Sequence, residues 1–348
     1  IGRMVYARPD MDGMWASQDI LKVVPNPDRI PSGYLYAFLS SKFGVPLVTS
    51  GTYGAIIQHI EAEHIADLPV PRLGEAIEKK ANELVDFAAA LRSEGSGLIR
   101  VATGTLPRKL GLQPLTIGDV ARFSVASVRS TTLKSRLDAP FHCQAAQEVE
   151  SQLDRMPCSA EYLPAVLARY FKPPMFKRLW VQGPEHGRQF ISGSDAYRFE
   201  AEEVRYVSNK TPNFEEFILR RGWVVFQAAG QIYGLFGQPL LVHGWLEGLF
   251  CADDVYRLVP HKEIDGAFLF AFLKTPHGQV LIKRQACGNS IPRVWDPHMR
   301  GVRVPWPNES LRKEIAADIL LAHEKYEEAR QAEKKAVALV ERAIEEAA

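Results

Sequence analysis

The sequence predicts an α+β chain in which duplicated domains of mixed α and β structure alternate with long helices that pair as an antiparallel coiled coil. Three observations lead there. The chain repeats itself at a spacing of 234 residues, with "HIADLPVP" from His64 and "HMRGVRVP" from His298 closing the two copies of one pattern. Each copy runs into a charged, alanine-rich stretch whose apolar residues fall at helical heptad spacing. Between the two stretches lies a region rich in Gly, Pro and aromatics with short β-branched runs.

At that spacing Ala37, Phe38, Leu39, Gly44, Leu47, Gly54, Ile57, His64, Val70, Pro71, Glu75 and Lys79 fall on identical residues, from Ala271 to Lys313. A one-residue gap extends the match upstream and lays Asp19–Pro25, "DILKVVP", over Asp254–Pro260, "DVYRLVP". A period this long marks a duplicated domain and not a solenoid of small repeats. The register places Ile1 near Gln231, so the first copy is represented by its final part and the chain reads as N-terminally incomplete.

Residues 1–72, the end of the first domain, read as short strands and turns around one helix. "DILKVV" alternates in a β-rich way, "SGYLYAFLSSKFG" has helical periodicity ended by Gly44, and "LPVP" is an extended exit. Residues 73–96 form the first spacer helix, with Ile77, Ala81, Leu84, Ala88 and Leu91 along one seam, and Gly95-Ser96-Gly97 breaks it. Residues 97–307 are the second domain, mixed α and β, with runs such as "RGWVVFQ" and "QPLLVHG" as strands. Residues 308–348 are the second spacer helix, roughly 55 to 60 Å long at about 1.5 Å per residue. Its seam is Ile315, Ile319, Ala322, Tyr326, Ala329, Ala336, Val340 and Ala343, with Glu333 as the polar intrusion. Helices this thin have no interior of their own, which makes Ile77, Leu84, Leu91, Ile315, Ile319 and Tyr326 the candidate partner-binding residues.

Composition narrows the function. The chain has 348 residues, 46% of them hydrophobic, enough for sizeable cores. No apolar run is long enough to span a bilayer and no secretory leader is evident, which predicts a cytoplasmic protein without a membrane partner. Cys143, Cys158, Cys251 and Cys287 are scattered and suggest neither a disulfide framework nor a zinc site. The net charge of +1 hides segregation. Ten Lys or Arg face seven Asp or Glu over 169–221, six face one over 274–303, and from Glu309 onward ten acidic residues outnumber seven basic ones. A basic globular part on a mildly acidic helix suits a nucleic-acid reader on a protein-binding spacer.

Within the basic stretches, "KRQACGNSIPRVW" supplies Lys283, Arg284, Gln285, Asn289 and Arg293, residue types that grip phosphates or read base edges. Lys177, Arg178, Arg188, Gln189, Lys210, Arg220 and Arg221 are further DNA-binding candidates, and Thr49, Thr52 and Gln58 are those of the first copy. "GRQFISGSD" lacks the setting of a phosphate loop, and His59 with His64 lacks further metal ligands. No G-x-S-x-G, H-E-x-x-H or methyltransferase Asn-Pro-Pro-Phe pattern occurs, so the chain carries no catalytic constellation and calls for neither cofactor nor metal.

Gly54 to Pro71 followed by Glu75, and Gly288 to Pro307 followed by Glu309, share one layout: a glycine, a polar loop, an apolar exit ending in proline, and a Glu-led helix. With "RRGWVVFQAAGQIYGLFG" (Arg220–Gly237) and the opening "IGRMVY", this resembles the specificity subunits of type I restriction-modification systems, although Ala76 and Ser310 stand where that family often has Gln. The resemblance implies two target-recognition domains, each reading half of a bipartite double-stranded DNA sequence, and paired helices that set the gap. It also implies docking of two methyltransferase subunits and a restriction motor subunit, which would carry the chemistry. A recognition region cut from a fused restriction-methyltransferase enzyme, and an assembly protein whose duplicated domains bind no DNA, are the alternatives.

Overall fold

The computed structural model describes residues 2–54, 59–115, 125–133, 136–198 and 204–347. They divide into two compact units, one of residues up to Gly97 together with Glu324 onward, the other Leu98–His323.

The first unit opens with a 3-10 turn at Pro9–Met11 and continues through helices α1 (Ser32–Leu39), α2 (Gly44–Ser50) and α3 (Ala62–Ala66) into α4 (Glu75–Lys109). Gly44 therefore opens a helix and does not end one. A Cβ on Gly44 would lie 2.1 Å from the Phe38 carbonyl oxygen, so only glycine lets α2 turn this tightly against α1. Ser41 secures the turn, accepting from the Gly44 N–H and donating to the Phe38 carbonyl.

The second unit carries helices α5 (Gln144–Arg155), α6 (Leu163–Val166), α7 (Phe214–Phe217), α8 (Glu263–Lys274), α9 (Pro276–Lys283) and α10 (Asp296–Met299), with α11 (Glu309–Ala347) leaving it. Its strands are β1 (Ser159–Tyr162), β2 (Leu167–Phe171), β3 (Trp180–Val181), β4 (Gly187–Ile191), β5 (Arg205–Ser208), β6 (Val224–Gln227), β7 (Pro239–Leu241), β8 (Phe250–Cys251), β9 (Val255–Pro260) and β10 (Arg303–Trp306). One antiparallel sheet has the order β2-β9-β6-β7, a second sheet, mixed because β8 runs parallel to β4, has the order β3-β5-β4-β8, and β1 pairs with β10. Phe250 is the hub of an aromatic core with Phe176, Phe190, Phe214 and Phe217, its ring stacked on Phe217 at 4.7 Å.

The duplication is structural. Thr275 caps Gly278 as Ser41 caps Gly44, and a Cβ on Gly278 would lie 2.3 Å from the Phe272 carbonyl. Tyr53 and His59 exchange two backbone hydrogen bonds, and so do Cys287 and Arg293. The next residues, Gly54 and Gly288, have φ of 103° and 100°. Gly2 corresponds to Gly237, with φ of 78° and 70°, so the register at the start differs from the one near Gln231 that the sequence suggests.

Two further expectations are corrected. "DILKVV" (Asp19–Val24) is not a strand, although its counterpart is β9. Strand geometry needs ladder partners; β9 has β2 and β6 on its flanks, and no strand lies among the described residues of the first unit. Gly95-Ser96-Gly97 does not break the first spacer helix, which runs on to Lys109. Each glycine costs about 1 kcal/mol against alanine in a helix, and packing along α11 offsets that cost. In the first unit Ala88 and Leu91 pack with Ala329 and Ala332, and Ser96 bonds Tyr326. Arg92, nearly fully buried, pairs with Glu333, the residue that interrupts the seam. In the second unit Ile99, Ala102 and Leu106 are buried and Lys109 pairs with Glu314.

Candidate nucleic-acid interface

Two loops of the second unit converge. The segment after β6, Ala228–Gly237, joins Cys287–Trp295: the Gly230 N–H donates to the Pro292 carbonyl at 3.1 Å, the Val294 N–H to Ala228 at 2.9 Å, and the Gln231 amide to Ser290. Gly230 has φ of 131°, a conformation that side chains rarely adopt. The joined loops present Asn289, Ser290, Ile291, Tyr233 and Trp295 to solvent, with Tyr233 fully exposed. Arg293 stands beside them at 3.7 Å from Asp254, which also lies 3.9 Å from Lys172.

The hairpin base is clamped from below. Arg136 donates to the Ala286 carbonyl at 3.0 Å and to Gln285 at 3.4 Å, and its other donors meet Asp138. The Cys287 thiol lies 3.7 Å from His298 Nδ1, and burial, with Arg136 nearby, pushes the His298 imidazole below its ordinary range. Such a base holds a tip still, so donors and acceptors on the tip meet a ligand with little ordering cost.

The candidates of "KRQACGNSIPRVW" separate accordingly. Asn289 is at the tip, Arg293 is at the hairpin base beside it, and Lys283 is half-buried at the end of α9, where burial lowers its pKa. Gln285 is in the core and donates to the Leu281 carbonyl, so it is withdrawn from the interface. Arg284 is withdrawn too: its guanidinium pairs with Glu150 at 3.1 Å and covers the Phe141 ring at 4.5 Å.

A second basic surface lies on the β3-β5-β4 sheet. Lys177, Arg178, Arg188 and Lys210 are exposed and Gln189 is half-buried, with Arg178 over the Phe190 ring at 5.2 Å. Arg205 lies 4.6 Å over half-exposed Trp180, beside an open recess lined by both and by Tyr206. Sequence reasoning missed Trp180, Arg205, Tyr233 and Trp295; aromatics interleaved with basic residues, as in "KRLW", are the signal that finds all but Tyr233, whose surroundings "GQIYGLFG" carry no basic residue. Arg220 and Arg221 instead pair with Glu215 and Glu263.

In the first copy Thr49 and Thr52 bond backbone carbonyls of α2, and Gln58 lies outside the described residues. His64 Nδ1 accepts from the Glu61 N–H, capping α3. Among the described residues no cluster of His, Cys, Asp or Glu could hold a metal ion, and no helix is long and apolar enough to cross a membrane.

Of the partner-binding candidates, Leu84 and Leu91 pack with Ala329 and Ala332, and Tyr326 bonds Ser96. Leu91, Ile315 and Ile319 are buried, and Ile77, Leu84 and Tyr326 half-buried. The residues that α4 and α11 turn outward are Phe87, Val101 and Leu321.

No protein-family model and no curated protein matches this chain. Among solved structures, the S subunit of a type I restriction-modification system from M. genitalium is similar at 13% identity, covering 91% of this chain and 72% of that one, with a TM-score of 0.43. The HsdS subunit from Thermoanaerobacter tengcongensis is similar at 12% identity, covering 89% and 69%, with a TM-score of 0.35.

Proposed function

We propose that this chain is a sequence-specific DNA-binding subunit that reads a bipartite target and performs no catalysis itself. The observation that carries the reading is the repetition of one device. The same loop base, Tyr53 paired with His59 in one unit and Cys287 with Arg293 in the other, each followed by a positive-φ glycine, precedes each of two long helices. Two copies of one loop base suit two half-sites, with the helices setting the gap between them.

Asn289 and Arg293 have the groups to read base edges, adenine for the amide and guanine for the guanidinium. Lys177, Arg178, Arg188 and Lys210 have the charge to hold phosphates. The outward apolar residues Phe87, Val101 and Leu321 are the sites where methyltransferase subunits dock, because the seam residues are already occupied. Methyl transfer and cleavage then belong to those partners and to a motor subunit, and this chain needs no cofactor.

The test is selection from a random duplex library, with a methyltransferase partner present and salt varied. Two short conserved blocks at a constant gap, with affinity falling steeply as salt rises, are the expected outcome. Recovery of no motif, or binding indifferent to salt, would overturn the reading.

A further inference from the structure

The joint between each domain and its long helix is built on the same positions in both copies, with the charges reversed. Glu78 and Arg312 are repeat equivalents, one turn into α4 and α11. The Glu78 N–H donates to the Gly74 carbonyl and the Arg312 N–H to the Asn308 carbonyl, so the two helices begin in one register. Both side chains are largely withdrawn from water: Glu78 is 2% exposed, and the side chain of Arg312 13%.

Each folds back on the exit segment that precedes its helix, and both meet the same two positions there. The Glu78 carboxylate accepts from the Arg72 guanidinium at 2.9 and 2.8 Å and from the Leu73 N–H at 3.0 Å. The Arg312 guanidinium lies 4.5 Å over the ring of Trp306, the equivalent of Arg72, and donates to the carbonyl of Pro307, the equivalent of Leu73, at 2.8 Å. Proline has no N–H to offer a carboxylate, so the change of charge and the change of neighbour go together. The domain holds the exit segment in turn. Tyr34 on α1 donates to the Pro71 carbonyl, and Phe268 on α8, its repeat equivalent, meets Trp306 edge-on at 5.9 Å. Arg312 also reaches α8 directly, 3.1 Å from the buried Asp265 carboxylate. An exposed ion pair would let a helix swing, whereas a nearly buried charge that moves loses partners for which it has no solvent substitute.

We infer that Glu78 and Arg312 are positioning residues that fix the angle at which each long helix leaves its domain, and through that angle the gap between the half-sites. The inference rests on the DNA-reading proposal above. Between the copies a carboxylate has become a guanidinium while both contact positions are kept, as a joint of fixed geometry requires and a stray surface pair does not. Leverage makes the angle matter. A swing of about 10° at the root of a helix of 39 residues, about 58 Å long at about 1.5 Å per residue, moves its far end by about 10 Å, which is about three base pairs at about 3.4 Å each. A loosened joint therefore blurs the gap and leaves the bases read by each half untouched.

The experiment is duplex-library selection on the full chain with a methyltransferase partner present, comparing the parent with Glu78→Ala and Arg312→Ala. Each variant is expected to recover both half-sites unchanged, at gaps spread over several lengths where the parent holds one. Arg312→Ala combined with Asp265→Asn leaves no unpaired carboxylate in the core and is expected to spread the gap in the same way, so misfolding of the single variant does not decide the result. Val225→Ala, in β6 and 0% exposed, weakens the second unit away from the joint and is expected to keep the parental gap. One constant parental gap in all the joint variants overturns the inference, and so does loss of the half-site motifs themselves. An equal spread in Val225→Ala also overturns it, because loss of stability alone then accounts for the effect. A parent that recovers no motif overturns the DNA-reading proposal, and the inference falls with it.

Discussion

Asn289 and Gln285 are four residues apart and chemically alike, yet they face opposite environments. Asn289 is exposed at the tip, and Gln285 is 1% exposed with its amide bonded to Leu281. Asn289→Ala is expected to weaken DNA binding by about 1–3 kcal/mol, with a melting temperature unchanged. Gln285→Ala is expected to reverse the pattern, lowering the melting temperature by an amount corresponding to about 1–2 kcal/mol. Filter binding and thermal melts on both variants check this, and equal effects on binding would show that the tip is misassigned. His323 gives a second residue-scale prediction. Burial, beside His243 and Lys274 and against the Phe270 ring, pushes its pKa down to about 4 from an ordinary value near 6.5. The unfolded chain therefore takes up this proton first as pH falls. The contribution of His323 is complete above about pH 6.5 and is lost progressively down to about pH 4. Burial lowers His277 and His298 in the same sense. The melting temperature should fall across that window, and His323→Phe should flatten the fall.

Elements show how far the sequence could be read. The heptad seam was legible because its periodicity is local, and Ala81, Ala88, Leu91, Ile315 and Ile319 are all buried. The helix end was not, because Gly95-Ser96-Gly97 signals a break by propensity alone while the neighbouring helix supplies contacts that outweigh it. "DILKVV" failed for the complementary reason: its pattern is that of a strand, but pairing is non-local and the partners of β9 lie far away in sequence. The hairpin was half legible, since composition picked out Asn289 and Arg293 without separating them from Arg284 and Gln285, whose burial only the fold decides. The helix reading yields a test. An added Cβ at Gly97 or Gly104 would meet nothing within 4 Å, and both residues are helical. Gly97→Ala and Gly104→Ala should each stabilise the protein by about 0.5–1 kcal/mol in denaturant melts. A loss of stability at Gly97 would mean that the helix is interrupted there as the sequence suggests.

At the scale of the whole molecule, a net charge of +1 gives no general attraction to DNA, so the proposed recognition has to come from local surfaces. The duplication then makes a demand that neither copy makes alone. If each hairpin reads one half-site, tip identity belongs to its own half and the gap belongs to the helices. Residues 288–292, "GNSIP", occupy the repeat positions of 54–58, "GAIIQ". Replacing the first sequence by the second changes the tip while leaving the clamp formed by Arg136 and the Cys287–Arg293 pair in place. The Gly230 bond uses a backbone carbonyl that every residue has. Library selection on this variant should recover a motif altered in one half, with the other half and the gap unchanged. A shift in both halves would mean that the tips act jointly on one continuous site. An unaltered motif would move the readout away from the hairpins, toward the basic sheet surface around Trp180 and Arg205.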